Sequence, residues 1–254
     1  KQAASKAAKK AAKKTDAIAT KEAPPAEFVP SKTVKEAESW ALKNKVANNV
    51  DYKGFSVGLA NEFNEEIYKL RGEQGFKPFE YVGRQAGWNR YFQRPARRGE
   101  KLPGKARRFI MAVIGNNPVG GNKKGSVLLV NASKMAKSKP VFERMDRTGL
   151  TRQMDRRGAI LHELGHWIDN EKGIDKTTDP LGRIKARKLG DTNTGTVASR
   201  SMALKALKDA RDSIGTYAFT NNDEFFAESY RMYKQGLLPP ELDWISEFMR
   251  KEGL

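Results

Sequence analysis

The sequence predicts an α+β fold with a small sheet and a mainly helical C-terminal half, on three observations. Short apolar, β-branched runs cluster in the first half, in FEYVG (79–83), RRFIMAVIG (107–115) and GSVLLVNAS (125–133). From about Thr151 the apolar residues recur at helical spacing instead. Strands that come first and helices that follow suit a sheet packed on helices, and 254 residues without an internal repeat suffice for one substantial domain with a tail.

In chain order, residues 1–30 read as a basic, flexible tail. Six lysines and no acid occupy KQAASKAAKKAAKK (1–14), which has helix propensity but no apolar face to dock. Pro24, Pro25 and Pro30 then break any helix. A solvated linker is the favoured reading, with a nucleic-acid-binding arm as the alternative. The domain is expected over 31–254, with the strands in about 50–135 and the helical half in about 150–251. Ser31 is placed as the N-cap of a helix over TVKEAESWALKNK (33–45). A second helix, VGLANEFNEEIYKLRG (57–72), lines up Leu59, Phe63, Ile67 and Leu70 on one face. The last helices are expected near 151–172, 198–213, 221–235 and 240–251.

The composition excludes several classes. Apolar residues make up 38% of the chain and mean hydropathy is −0.71, so the core is modest. No run approaches the length of a membrane span and no signal-peptide pattern opens the chain. A cytoplasmic or virion-associated location is therefore expected. The first residue is lysine, which suggests a processed product or a piece of a longer chain. Cysteine is absent, which rules out disulfides and thiolate metal sites. With only two histidines, any zinc must take its third protein ligand from a carboxylate.

The net charge of +18 favours association with nucleic acid or acidic partners without saying anything about fold. Besides the tail, GRQAGWNRYFQRPARRGEKLPGKARR (83–108) carries nine Arg or Lys and one acid, interleaved with Trp88, Tyr91 and Phe92. Aromatics among cations can stack bases while the cations hold phosphates. A solvated loop whose aromatics pack on the core is the blander and favoured reading.

Both histidines fall in AILHELGHWID (159–169). Positions four apart on a helix share a face, so His162 and His166 can point at one metal ion, and Glu163 can act beside it without being a ligand. Ile160, Leu161, Leu164, Trp167 and Ile168 make the other face apolar. Gly165 costs about 1 kcal/mol against alanine in mid-helix, and a close neighbour on that side would explain it.

The motif is short enough to arise by chance, so the third ligand decides. The extended metzincin pattern requires Gly at 169 and His at 172, where this chain has Asp169 and Lys172. A ligand glutamate on a later helix remains. TYAFTNNDEFFAESY (216–230) offers Glu224 and Glu228 one turn apart, with Thr220 as a candidate N-cap and Phe225, Phe226 and Tyr230 as core anchors.

HELGHWID, followed about fifty residues on by Tyr-x6-Glu and EFFAESY, resembles the lethal-factor-like zinc metallopeptidases, the group typified by the catalytic domain of anthrax-toxin lethal factor. The resemblance spans about 50–250, and its specific content lies in 158–169 and 217–230. It implies a zincin-like fold, with His162, His166 and Glu224 as Zn2+ ligands and Glu163 as general base. It also matches Tyr217 to a tyrosine that assists at the oxyanion or leaving group. Three protein ligands leave a fourth position open, as in catalytic rather than structural zinc sites.

Glu228 is expected behind the ligands, accepting a hydrogen bond from a histidine ring. The expected partner is a protein or peptide substrate, lying extended along a sheet edge for which Val127, Leu128, Leu129 and Val130 are the candidates. The group also includes phage and mobile-element domains, and TVKEAESWALKNKVANNVDYKG (33–54) is similar to segments of phage head-associated polypeptides. The rival expectation is a basic structural or nucleic-acid-associated protein whose zincin domain is vestigial or self-processing.

Overall fold

The structure, a computed structural model, describes residues 27–84, 87, 111–114, 126–172 and 208–254. Among these residues the fold is α+β and mostly helical. Residues 1–26, most of the basic stretch 83–108 and the part up to 207 of the helix expected over 198–213 lie outside them. Phe28 packs edge-on against Trp40, with ring centroids 4.8 Å apart. The end of the expected tail thus lies on the first helix.

Helix α1 (Val34–Lys43) is capped by Thr33, whose hydroxyl accepts from the Glu36 amide. The Glu36 carboxylate accepts from the Lys32 amide, close to a capping box. The cap therefore lies two residues past Ser31, whose own amide donates to Asn61. Helix α2 (Val57–Gln74) starts at the Ser56 cap and stops at Gly75, in the left-handed conformation. It buries Leu59, Phe63, Ile67 and Leu70, as its apolar spacing predicts.

Among the described residues the sheet has four strands, β1 (Val50–Asp51), β2 (Tyr81–Gly83), β3 (Met111–Ile114) and β4 (Val127–Val130), in the order β1-β2-β4-β3. Pairs β1–β2 and β2–β4 are parallel, with Val50 opposite Val82 and Tyr81 opposite Val127. Strand β3 closes this order antiparallel to β4, with Met111 opposite Val130.

This corrects the expected substrate edge. Val127, Leu128, Leu129 and Val130 are paired on both sides and buried, so β4 has no free edge to offer a peptide. Their unbroken apolar run is what a strand covered on both faces requires. Strand β3 is the edge of the described sheet on that side.

Strand β4 ends at Val130, where Asn131 bounds it as the sequence leads one to expect. Asn131 accepts from the Lys134 amide and caps α3 (Ala132–Ala136), and α4 (Lys139–Arg147) follows. Helix α5 (Arg156–Lys172) begins later than the expected Thr151, because Asp155 accepts from the Gly158 amide at 2.5 Å and caps it there. Arg156 and Arg157 in its first turn pair with Glu62 and Glu66 of α2.

Trp167 of α5 is fully buried against Phe79, at the foot of β2, with ring centroids 4.0 Å apart. Residues 208–214 are helical and lead into a 3-10 turn at Thr216–Phe219. Helix α6 (Asn222–Gln235) follows, then a second 3-10 turn (Pro240–Leu242) and α7 (Asp243–Lys251). One apolar core runs through all the layers, from Ala37 of α1 to Met249 of α7. No described helix is long and apolar enough to cross a membrane.

Candidate metal centre and catalytic cleft

Helices α5 and α6 build the site, and their approach is set by small residues. A Cβ on Gly165 would stand 2.8 Å from the Cα of Ala227, so the two backbones touch there. Gly158, two turns earlier on the same face, is similarly crowded by Asp155, Gln235 and Arg231. The glycine that weakens α5 as a helix is thus what lets α6 come close. Phe225, Phe226 and Tyr230 bury α6 on its other sides.

The N-terminus of α6 is capped by Asn221, which accepts from the Glu224 amide at 2.8 Å. The expected cap, Thr220, instead donates to the Tyr217 carbonyl. The Asn221 bond fixes Glu224 at the end of α6 nearest the two histidines.

There the structure brings together His162, His166 and Glu224. His162 Nε2 and His166 Nε2 are 3.2 Å apart. Glu224 Oε2 lies 3.1 Å from the first and 3.3 Å from the second. In a tetrahedral site with metal–ligand distances of about 2.0–2.1 Å, neighbouring ligand atoms stand about 3.3 Å apart. All three spacings fit the base of such a tetrahedron, and the donor set of two imidazoles and a carboxylate suits zinc. The buried Glu224 Oε2 makes no hydrogen bond among the described residues despite this closeness.

Glu228, fully buried one turn along α6, sits behind His162. Its Oε1 is 3.4 Å from His162 Nδ1, an ion-pair distance at which neither atom makes a hydrogen bond among the described residues, while Oε2 accepts from Arg231 Nε at 2.7 Å. Arg231 is itself fully buried and donates further to Gln235 and to the Arg152 carbonyl. The sequence reading did not single out Arg231. Its signal was an arginine three residues after Glu228, on a helix otherwise lined by Phe225, Phe226, Tyr230 and Met232.

Tyr217 donates from its hydroxyl to Glu224 Oε1 at 2.9 Å. Its backbone is hooked to the loop before α5, where the Thr216 and Tyr217 amides donate to Gly149 and Leu150. Gly215 permits this turn. Its φ is +111°, and a Cβ there would meet the Leu150 carbonyl at 2.7 Å.

Electrostatics couple these groups. Burial pulls the His162 pKa down, but Glu224, Glu228 and Glu163 outweigh it and push it up to about 10. Burial raises the Glu224 and Glu228 carboxyls, and His162 and His166 at Glu224, with His162 and Arg231 at Glu228, overcome that and hold both below the usual range. Burial and the neighbouring Glu224 push the Tyr217 hydroxyl well above its ordinary value, so it stays protonated.

Glu163 faces a cleft of about 570 Å³ that His162, Tyr217, Met111, Phe142, Met145 and Met154 also line. The candidate substrate residues Val127–Val130 do not line it, whereas Met111 of β3 does. No protein-family model, curated protein or solved structure matches the chain.

Proposed function

We propose that the chain is a zinc-dependent endopeptidase of the lethal-factor-like kind, with His162, His166 and Glu224 as the protein ligands. The observation that carries this reading is the triangle of ligand atoms, 3.1, 3.2 and 3.3 Å on its sides, one corner of which, His162, lines the same cleft as Glu163 and Tyr217. Zinc held there supplies a Lewis acid that polarises a peptide carbonyl and makes water a stronger nucleophile.

The protein's own groups do the rest. Glu163 follows the first ligand on α5 and faces the cleft, so its carboxylate takes a proton from the attacking water and returns it to the leaving amine. Tyr217 keeps its proton, and turning its hydroxyl from Glu224 Oε1 would offer that hydrogen bond where negative charge develops on the carbonyl oxygen. Glu228, held by Arg231, faces the far side of the His162 ring and favours the tautomer with its proton on Nδ1. An extended peptide adding to β3 would pass Met111 on its way to these groups.

The test is metal analysis of the purified protein together with cleavage of a peptide library. Stoichiometric zinc in the wild type, retained by Glu163→Gln with cleavage lost, is the expected result. Full zinc retention by Glu224→Gln would place the ligand elsewhere.

A further inference from the structure

The peptide bond between Arg152 and Gln153, in the loop before α5, is held from both ends. Its carbonyl, on Arg152, accepts from Arg231 Nη2 at 2.8 Å, and its amide, on Gln153, donates to Asp146 Oδ1 at 2.9 Å. A peptide unit is planar, so turning it to break one of these bonds breaks the other. Arg231 is buried and holds Glu228 through Nε, and Glu228 sits behind the His162 ring. A single line of contacts thus runs from Asp146 on α4, through that peptide and Arg231 on α6, to His162 on α5.

The outer end of this line runs against local preference twice. Gln153 has a φ of +48°, in the left-handed region, where a residue with a Cβ stays only if its surroundings hold it. Asp146 lies in the last turn of α4, where the helix dipole disfavours a negative charge. Each is explained by the other, because the Asp146 carboxylate is what the Gln153 amide meets in that conformation. Asp146 does not line the cleft, so contact with a substrate does not account for it.

We propose that Asp146 is a positioning residue for the candidate metal centre, acting through the Arg152–Gln153 peptide and Arg231 on Glu228 and the His162 ring. The proposal rests on the metal site of the peptidase reading and adds a residue to it. With the acid in place the Arg152 carbonyl faces Arg231, and the guanidinium keeps Glu228 behind the ring. Without it Gln153 relaxes to a negative φ and the peptide turns. Arg231 then loses one of the acceptors that fix it.

The test is zinc titration of the full chain, with urea midpoints of the chelator-treated proteins beside it. Asp146→Ala should weaken zinc about tenfold, the lower end of the loss that the outer partners of a ligand carry. Asp146→Asn keeps the acceptor oxygen and should bind as the wild type does. Gln153→Gly takes the left-handed conformation without steric cost, so adding it to Asp146→Ala should restore most of the affinity. Gln153→Val, whose branched side chain resists that conformation, should weaken zinc with Asp146 intact. In a Glu228→Gln background Asp146→Ala should cost nothing further, since the line is already cut.

Unchanged affinity in Asp146→Ala, no recovery with Gln153→Gly, or an equal loss in the Glu228→Gln background overturns the proposal. A wild type that binds no zinc sinks the metal reading instead, and the urea midpoints then decide. Coupled losses in Asp146→Ala with Arg231→Met support the link between the two side chains, and additive losses overturn it.

Discussion

Gly165 of α5 and Ala227 of α6 meet backbone to backbone, with only 2.8 Å between the Ala227 Cα and the place a Gly165 Cβ would occupy. Glu224 stands one turn before Ala227, so this contact sets how far its carboxylate reaches towards His162 and His166.

Gly165→Ala should therefore lose stability although alanine favours a helix by about 1 kcal/mol. The new methyl group meets main chain, which cannot rotate away, and overpacking of this kind costs about 1–3 kcal/mol. Zinc affinity should fall with it, because α6 carries Glu224, the proposed third ligand. Urea midpoints and zinc titrations of the variant check both. A raised midpoint with normal zinc binding would show that the helices can part without harm.

Tyr217→Phe should separate binding from chemistry. The lost hydroxyl is the donor to Glu224 Oε1, so zinc affinity should weaken by only a few-fold. Cleavage should drop further, by about a hundredfold, as expected when a donor to a developing oxyanion is removed. A rate unchanged from wild type would remove Tyr217 from the reaction. Gly215→Ala offers a separate check on the same turn: its φ of +111° and the crowding by Leu150 predict a loss of stability.

The helices that carry the His162, His166 and Glu224 cluster were legible because their signals are local and redundant. Helical periodicity, His162 and His166 four apart, and Glu224 and Glu228 four apart all point the same way. Even the close neighbour of Gly165 followed from the cost of a mid-helix glycine.

What was misread depended on tertiary partners or on a choice between adjacent polar residues. Ser31 and Thr33 can both cap, as can Thr220 and Asn221. Only Thr33 is followed three residues on by a glutamate that reaches back, a sequence signal that was present and passed over. Helices α3 and α4 are short, five and nine residues, so neither shows enough helical periodicity in the sequence to be expected after the strand that Asn131 bounds. The assignment of β4 as an edge overlooked that four apolar residues without alternation belong between neighbours. Arg231 could not be valued from sequence alone, because its partners at the Arg152 carbonyl and Gln235 matter only once the loop before α5 is in place.

The metal-free protein should have a stability optimum in mildly acidic solution as far as this cluster contributes. The His162 pKa rises from its ordinary 6.5 to about 10 on folding, so its contribution is full below 6.5 and is lost as pH climbs through 10. The Glu224 and Glu228 values fall from 4.5, so their contribution is present above 4.5 and is lost on acidification. The cluster therefore stabilises most between about pH 4.5 and 6.5. Thermal melts of chelator-treated protein across this range, beside His162→Gln, should show the dependence flatten in the variant. Wild-type and variant curves of the same shape would contradict the coupling.

The pair formed by Glu228 and Arg231 should behave as a unit whose halves cannot be removed singly. Both side chains are fully buried, with 2.7 Å between Nε and Oε2. Arg231→Met leaves the Glu228 carboxylate in the core with only His162 to answer it, and breaking a buried pair in this way costs about 3–5 kcal/mol. Glu228→Gln strands the guanidinium instead and also loosens the His162 ring, so zinc affinity should drop about 10–100-fold without vanishing. Glu224→Gln, by contrast, should abolish binding. The double variant Glu228→Leu with Arg231→Met removes both charges and should recover much of the stability lost by either change, since apolar replacements of buried pairs are often near neutral. It should not recover zinc affinity, because nothing then holds the Nδ1 proton of His162. Urea denaturation of the single and double variants gives the coupling energy, and zinc titration of the same proteins gives the second readout. Additive losses in stability would show that the two side chains act independently. Restored zinc affinity in the double variant would show that Glu228 serves only the core and leaves the histidine to orient itself.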